Sequence, residues 1–189
     1  ALVGALTPNA NPVFKVTIVP RGQALGVTAS LPDDDRRNYS KEFLVAQLHV
    51  LLGGRAAEEV AIGEITTGAS SDLRRVTDMA HRMVAEFGMS ETIGPLNFGD
   101  NDRQPFLGYS LSQGRNYSEA TAGRIDAEVR RIVDDAYAHT LNLLRENQSK
   151  LDLLAKELLE NEIVEGSKVY EIVGRGPAPE IDEPVPNLN

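Results

Sequence analysis

The chain has 189 residues and a formal net charge of -9, with 41% hydrophobic and 25% charged residues. That length and balance give one compact domain, or one and a half, and exclude wholesale disorder. Cys and Trp are both absent, so disulfide scaffolds, cysteine zinc fingers and cysteine nucleophiles are excluded, and an acidic chain offers no bulk electrostatic case for nucleic acid or anionic lipid.

From the start, Leu2, Val3 and Leu6 recur at helical spacing with no initiator Met and no capping residue before them, which reads as the back half of a helix. Pro8, Asn9, Asn11 and Pro12 make a loop. Residues 13–19 are mostly β-branched and alternate, with Phe14, Val16 and Ile18 on one face, so a strand is expected. Pro20-Arg21-Gly22 turns it into a second strand over 24–31, giving a hairpin, and residues 32–37 form a charged, solvated loop. Ser40 is placed to cap a helix with Glu42 in its first turn and Leu44, Leu48, Leu51 and Leu52 on its apolar face. Gly53-Gly54 follows. Each glycine costs roughly 1 kcal/mol in a helix interior, so the pair either ends the helix or lets another backbone approach.

The segment 66–72, Thr-Thr-Gly-Ala-Ser-Ser-Asp, is dense in capping residues, and the next helix carries Leu73, Val76, Ala80, Met83 and Phe87 on one side. A loop spans about 88–116. Ser118 then caps a long helix with Ile125, Val129, Ile132, Ala136 and Leu143 inside, and Ser149 caps another with Leu151, Leu154 and Leu158. Residues 174–189 hold four prolines and three acids and read as a disordered tail. There is no internal repeat, no run near the ~18 apolar residues of a membrane span, and no basic-then-apolar leader pattern.

Spacing alone says little about chemistry. His49, His81 and His139 form no H-x-x-x-H or H-x-H pair and read as surface or semi-buried helix histidines. G-x-S-x-G, Walker and G-x-G-x-x-G motifs are absent. Asp72 is an acid favoured by the positive end of a helix dipole, and Glu58 and Glu59 can be solvated helix acids. These residues define a mainly helical (α+β) acidic domain with a small hairpin, and no activity.

Five blocks in order carry more. Residues 15–22 (KVTIVPRG) with 24–28 (ALGVT), 52–59 (LGGRAAEE), 66–73 (TTGASSDL), 86–90 (EFGMS) with Gly94-Pro95-Leu96, and 125–129 (IDAEV) resemble segments of the FtsH family of ATP-dependent zinc proteases. The resemblance covers about residues 1–173. In that family a helix bearing H-E-x-G-H runs into a sequence like Ala1-Leu2-Val3, so the resemblance implies a chain that starts just after the second zinc histidine. The ligand histidines and the general-base glutamate are then absent from these residues, leaving no catalytic residue here. Asp72 matches the third zinc ligand, with Ser71 where the family usually has Asn. Glu58 matches an acid that holds a ligand histidine in its correct tautomer. Gly53-Gly54 would let their helix pack close to the zinc helix.

The implied fold is a helical-bundle protease domain with its small hairpin at the active-site cleft: a metalloprotease core over 1–117 with the hairpin at 13–31, a helical subdomain over 118–173, and the tail over 174–189. In the family the second strand borders the cleft, so Leu25, Gly26 and Val27 are expected to bind substrate as an added strand, Gly26 admitting a second backbone; the alternative is an ordinary strand with Gly26 at a bulge. The resemblance further implies zinc, ATP in a separate ATPase domain, a homo-hexamer, unfolded membrane or soluble polypeptides as substrates, no nucleic acid, and a membrane anchor outside these residues with the protease on the cytosolic or stromal side. The present chain alone is expected to be soluble and inactive. The other reading is a non-catalytic protease-like module for ring assembly or protein interaction.

Overall fold

Ser40 caps the first long helix by accepting from the Phe43 amide at 3.2 Å, with Glu42 in the first turn. In the computed structural model, which describes residues 1–20, 26–30, 38–99 and 117–176, the elements run α1 (Leu2–Leu6), β1 (Val13–Thr17), β2 (Val27–Ser30), α2 (Lys41–Ala61), a 3-10 turn (Thr67–Ala69), α3 (Ser70–Ala85), α4 (Glu119–Glu146), α5 (Gln148–Asn161), β3 (Ile163–Glu165) and α6 (Gly166–Val173). The protein is mainly helical with one antiparallel sheet in the order β2-β1-β3. The expected turn at 21–22, the charged loop at 32–37, most of the 88–116 loop and the tail from 177 lie outside the described residues, as does Leu25.

Two larger apolar clusters organise the chain. Phe43, Leu44, Leu48 and Leu52 of α2 meet Val76 and Met83 of α3 and Ala136 of α4. A second cluster joins Val3 of α1, Val13 and Val16 of β1, Ala56, Leu144, Leu154, and Val164, Val169 and Val173 from β3 and α6. The long α4, capped by the Ser118 hydroxyl accepting from the Thr121 amide, contributes to both.

The expected apolar face of β1 is corrected. The register shifts between Val13 and Lys15, from Val13↔Ser30 to Lys15↔Ala29, so one extra residue lies on β1 opposite β2. Such a bulge breaks the two-residue alternation. Val13 and Val16 therefore both turn inward, while Phe14 and Ile18 stay exposed. Leu73 and Phe87 are also exposed, since α3 ends at Ala85 and its buried face runs Val76, Ala80, Met83. Asn147, not Ser149, precedes α5, and its side chain bonds back to the Leu143 carbonyl. The elements unmarked in the sequence are β3 and α6, a three-residue strand and an eight-residue helix that begins on a glycine. A Cβ at Gly166 would collide with the Val13 carbonyl, which is why α6 can start hard against β1.

Candidate functional site

The Gly53-Gly54 pair does not end α2. The helix runs through it, and a Cβ at Gly53 would stand 3.0 Å from Val3 Cγ2, whereas one at Gly54 would meet nothing. The first glycine thus seats α1 against α2, and the packing of Val3 and Leu52 offsets the propensity cost of roughly 1 kcal/mol.

One turn further on, Glu58 leaves α2 toward the connection to α3. Its carboxylate accepts from the Thr66 hydroxyl at 2.7 Å and the Thr66 amide at 3.3 Å. Those two bonds, the hydroxyl first, hold the Glu58 carboxyl below the usual carboxylate range. Thr66 in turn caps the 3-10 turn by accepting from the Gly68 amide at 3.1 Å, and that turn leads directly into α3. A side chain at Gly68 would crowd the Thr66 hydroxyl and the Glu58 carboxylate. The chain therefore clamps the entry of α3 to the end of α2, and Asp72 sits in the first turn so positioned.

Asp72 has 40% of its side chain exposed, and its ion pair is a loose one, 3.8 Å to Arg75. Its oxygens are not consumed by a buried network. Glu58 and Asp72 are thus joined through Thr66 and the 3-10 turn, and among the described residues the hydrogen-bond partner of Glu58 is Thr66, not a histidine.

Gly26 and Val27 lie at the start of β2, an edge strand whose residues are mostly exposed. A Cβ at Gly26 would stand 2.7 Å from the Thr17 carbonyl oxygen, so the backbone that Gly26 admits here is that of β1 itself. The opposite edge of β2 pairs with no strand among the described residues.

Three polar groupings escaped the sequence reading. Glu59 accepts from the Tyr137 hydroxyl at 2.7 Å and lies 3.6 Å from Arg145, tying α2 to α4; burial, then the bond to Glu59, pushes the Tyr137 phenol up. Glu128, only 4% exposed, takes two bonds from Arg131 at 2.8 and 2.9 Å, one from Ser90 at 2.9 Å and one from Thr92 at 3.4 Å. The third is His49 stacked on His139, ring centroids 4.4 Å apart. The Glu128–Arg131 spacing of three was visible as a helix pair; Ser90 and the histidine pair are tertiary, and nothing local announces them.

Zinc takes nitrogen, sulfur and carboxylate ligands, with three protein ligands in a catalytic site. The accessible, loosely paired carboxylate of Asp72 fits one such position. Among the described residues no three His, Asp or Glu side chains are grouped to hold a metal ion, so the donor set here fits part of a zinc shell.

The profile of peptidase family M41 matches residues 1–172. The chain is 48% identical over 176 residues to an ATP-dependent zinc metalloprotease FtsH of Thermobaculum terrenum, covering 93% of this chain and 27% of that protein. It is 50% identical over 173 residues to the FtsH of Rubrobacter xylanophilus, covering 92% and 27%, and 47% identical over 174 residues to that of Pseudothermotoga lettingae, covering 92% and 28%. The chain thus spans little more than a quarter of the curated relatives it matches. No helix among the described residues is long and apolar enough to cross a membrane. With nearly its whole length inside one profile, the chain belongs to peptidase family M41.

Proposed function

We propose that this chain is the C-terminal proteolytic part of an ATP-dependent zinc metalloendopeptidase, and that Asp72 supplies one of the zinc ligands. The observation that carries the reading is the carboxylate of Asp72, presented at the start of α3 by the Glu58–Thr66 clamp and bound only loosely to Arg75. In the longer protein, a helix ahead of Ala1 bears H-E-x-G-H and supplies two histidine ligands and the glutamate base. When bound, zinc contributes Lewis acidity that brings the pKa of its water toward ~7. Asp72 holds its carboxylate in place from a fixed helix turn; Glu58 fixes that turn and, by extension, orients a ligand histidine. ATP is hydrolysed in a separate domain, the assembly is a hexamer, and an anchor outside this chain holds it at a membrane. Substrates are unfolded membrane and soluble polypeptides.

The test is casein degradation by the protein expressed from the whole open reading frame. Proteolysis that requires both ATP and zinc, and is absent from residues 1–189 alone, is the expected result. Stoichiometric, chelator-resistant zinc on the 189-residue chain would overturn the split donor set.

Substrate pairs with the free edge of β2, where main-chain bonds are the same for every sequence. Successive amides along a strand point to opposite edges, so of Val27→Pro and Thr28→Pro one removes a donor from the free edge and the other breaks the ladder to β1. The free-edge variant is expected to keep its melting temperature and zinc content while KM for unfolded substrate rises about tenfold, the equivalent of one hydrogen bond. If neither proline changes KM in a folded, zinc-loaded assembly, β2 is scaffold.

A further inference from the structure

Between α2 and α4 lies a cleft of about 520 Å³ that the proteolytic reading leaves unused. His49 and His139 meet at it, one from each helix, with rings 24° from parallel. We infer that this stacked pair is a proton-sensitive latch on the α2–α4 seam, closed while the rings are neutral and loosened by acid. The inference does not depend on zinc or on Asp72.

The argument starts from what surrounds His49. Its Nδ1 is buried and meets no hydrogen-bond partner. A proton placed there would add a charge with no counter-ion in a seam made of Val45, Leu48, Ile132 and Ala136, and burial of an unpaired charge is strongly unfavourable. The charged groups facing the cleft do not relieve it. On α4, Arg131 already takes both Glu128, at 2.8 and 2.9 Å, and Asp135. From α2 comes Lys41, a like charge; from the segment after α3 comes Glu91, of opposite sign but itself exposed to solvent, which screens it; α3 itself contributes the uncharged Met83. Should His139 also be charged, two cations would face each other across 4.4 Å. Burial first, and the facing His139 second, hold the His49 imidazole down to about 4.

The sign follows from that depression. An imidazole in the unfolded chain takes its proton near pH 6.5, while His49 in the folded chain resists until about pH 4. Between those values the unfolded state binds more protons, so the stability contributed by the neutral pair is complete above about pH 6.5 and falls as pH drops toward 4. Opening the seam is how the folded chain reaches the protonated form. Because α2 also carries Glu58 and the clamp on α3, loosening α2 reaches the turn that presents Asp72.

The experiment is urea unfolding of the 189-residue chain, followed by circular dichroism at pH 7 and pH 5, a window in which Glu128 stays ionised. Wild type is expected to show an unfolding constant at least tenfold larger at pH 5 than at pH 7, and the buried Ala1 amino group, held down to about 6, contributes to that ratio beside His49. His49→Gln, which cannot titrate, should lower the ratio about fivefold or more relative to wild type, leaving the share of Ala1. Equal pH ratios in the two proteins overturn the latch. If the variant does not fold, the wild-type imidazole resonances are titrated by NMR. A His49 midpoint below about 5.5, accompanied at the same midpoint by shifts of Val45 and Ala136 across the seam, supports the latch. A midpoint at or above that value, or a seam that does not respond, overturns it.

Discussion

Replacing Asp72 by Asn is expected to cut proteolysis by the longer protein by more than tenfold while ATP hydrolysis persists. The amide keeps the shape of the side chain but loses the charge that helps hold a divalent metal and balance its field. Even changes one shell removed from a metal typically cost 10–100-fold, so a ligand change should cost at least as much. Folding is not the cause, because the contribution of a first-turn acid to the helix dipole is only about 0.3–1 kcal/mol, and the pair with Arg75 is long and exposed. Zinc content, measured beside activity, should fall in parallel. A variant that keeps more than about a tenth of the wild-type rate returns Asp72 to the role of a helix-terminal acid.

Glu128→Ala is expected to destabilise the fold strongly. The carboxylate gathers Arg131, Ser90 and Thr92 at a point that is 4% exposed. Its loss leaves the Ser90 hydroxyl, which also accepts from the Ile93 amide, without its acceptor inside the protein. Breaking a buried pair by removing one partner costs about 3–5 kcal/mol. Arg131 is more than half exposed and keeps Asp135, so about 2–3 kcal/mol is the reasonable figure here, or a melting temperature lower by roughly 5–10 °C. The pH signature is separate from that of His49. Its bonds, those from Arg131 foremost, hold the Glu128 carboxyl down to about 2, so its contribution is intact above about pH 4.5 and fades as pH falls toward 2. A calorimetric melt at pH 7 that moves by less than about 2 °C would make Glu128 a solvated acid.

Much of the helical frame could be read from the residues. Ser40 and Ser118 cap where a short polar side chain precedes an amphipathic run, and Leu44, Leu48, Leu52, Ile125 and Ala136 are buried as their spacing implies. What failed did so for identifiable reasons. The face of β1 was misread because a one-residue bulge reverses the alternation, and only a partner strand reveals a bulge. Leu73 and Phe87 continue the apolar spacing of α3, but Leu73 points to solvent and Phe87 lies beyond the helix end. β3 is too short to carry a period and α6 opens on Gly166, a residue of poor helix propensity that tertiary crowding requires. Of the candidate site, the Asp72 position is local and visible, whereas the tie of Glu58 to Thr66 spans eight residues and two elements. The stacked histidines, each unremarkable alone, acquire meaning only when α2 meets α4.

The late strand has a consequence for how the chain is made. β1 lies between β2 and β3, and the Val13 amide donates to the Tyr170 hydroxyl across 157 residues. Arg175 reaches the Leu6 carbonyl across 169. Contacts of such separation form late, since loop closure must precede them. During synthesis the α2–α3 pair can assemble while the ribosome is still translating, but one edge of β1 stays unpaired until residues 163–175 have emerged. That exposed edge is the segment most open to pairing with another nascent chain, and a stop codon before residue 163 leaves it permanently so.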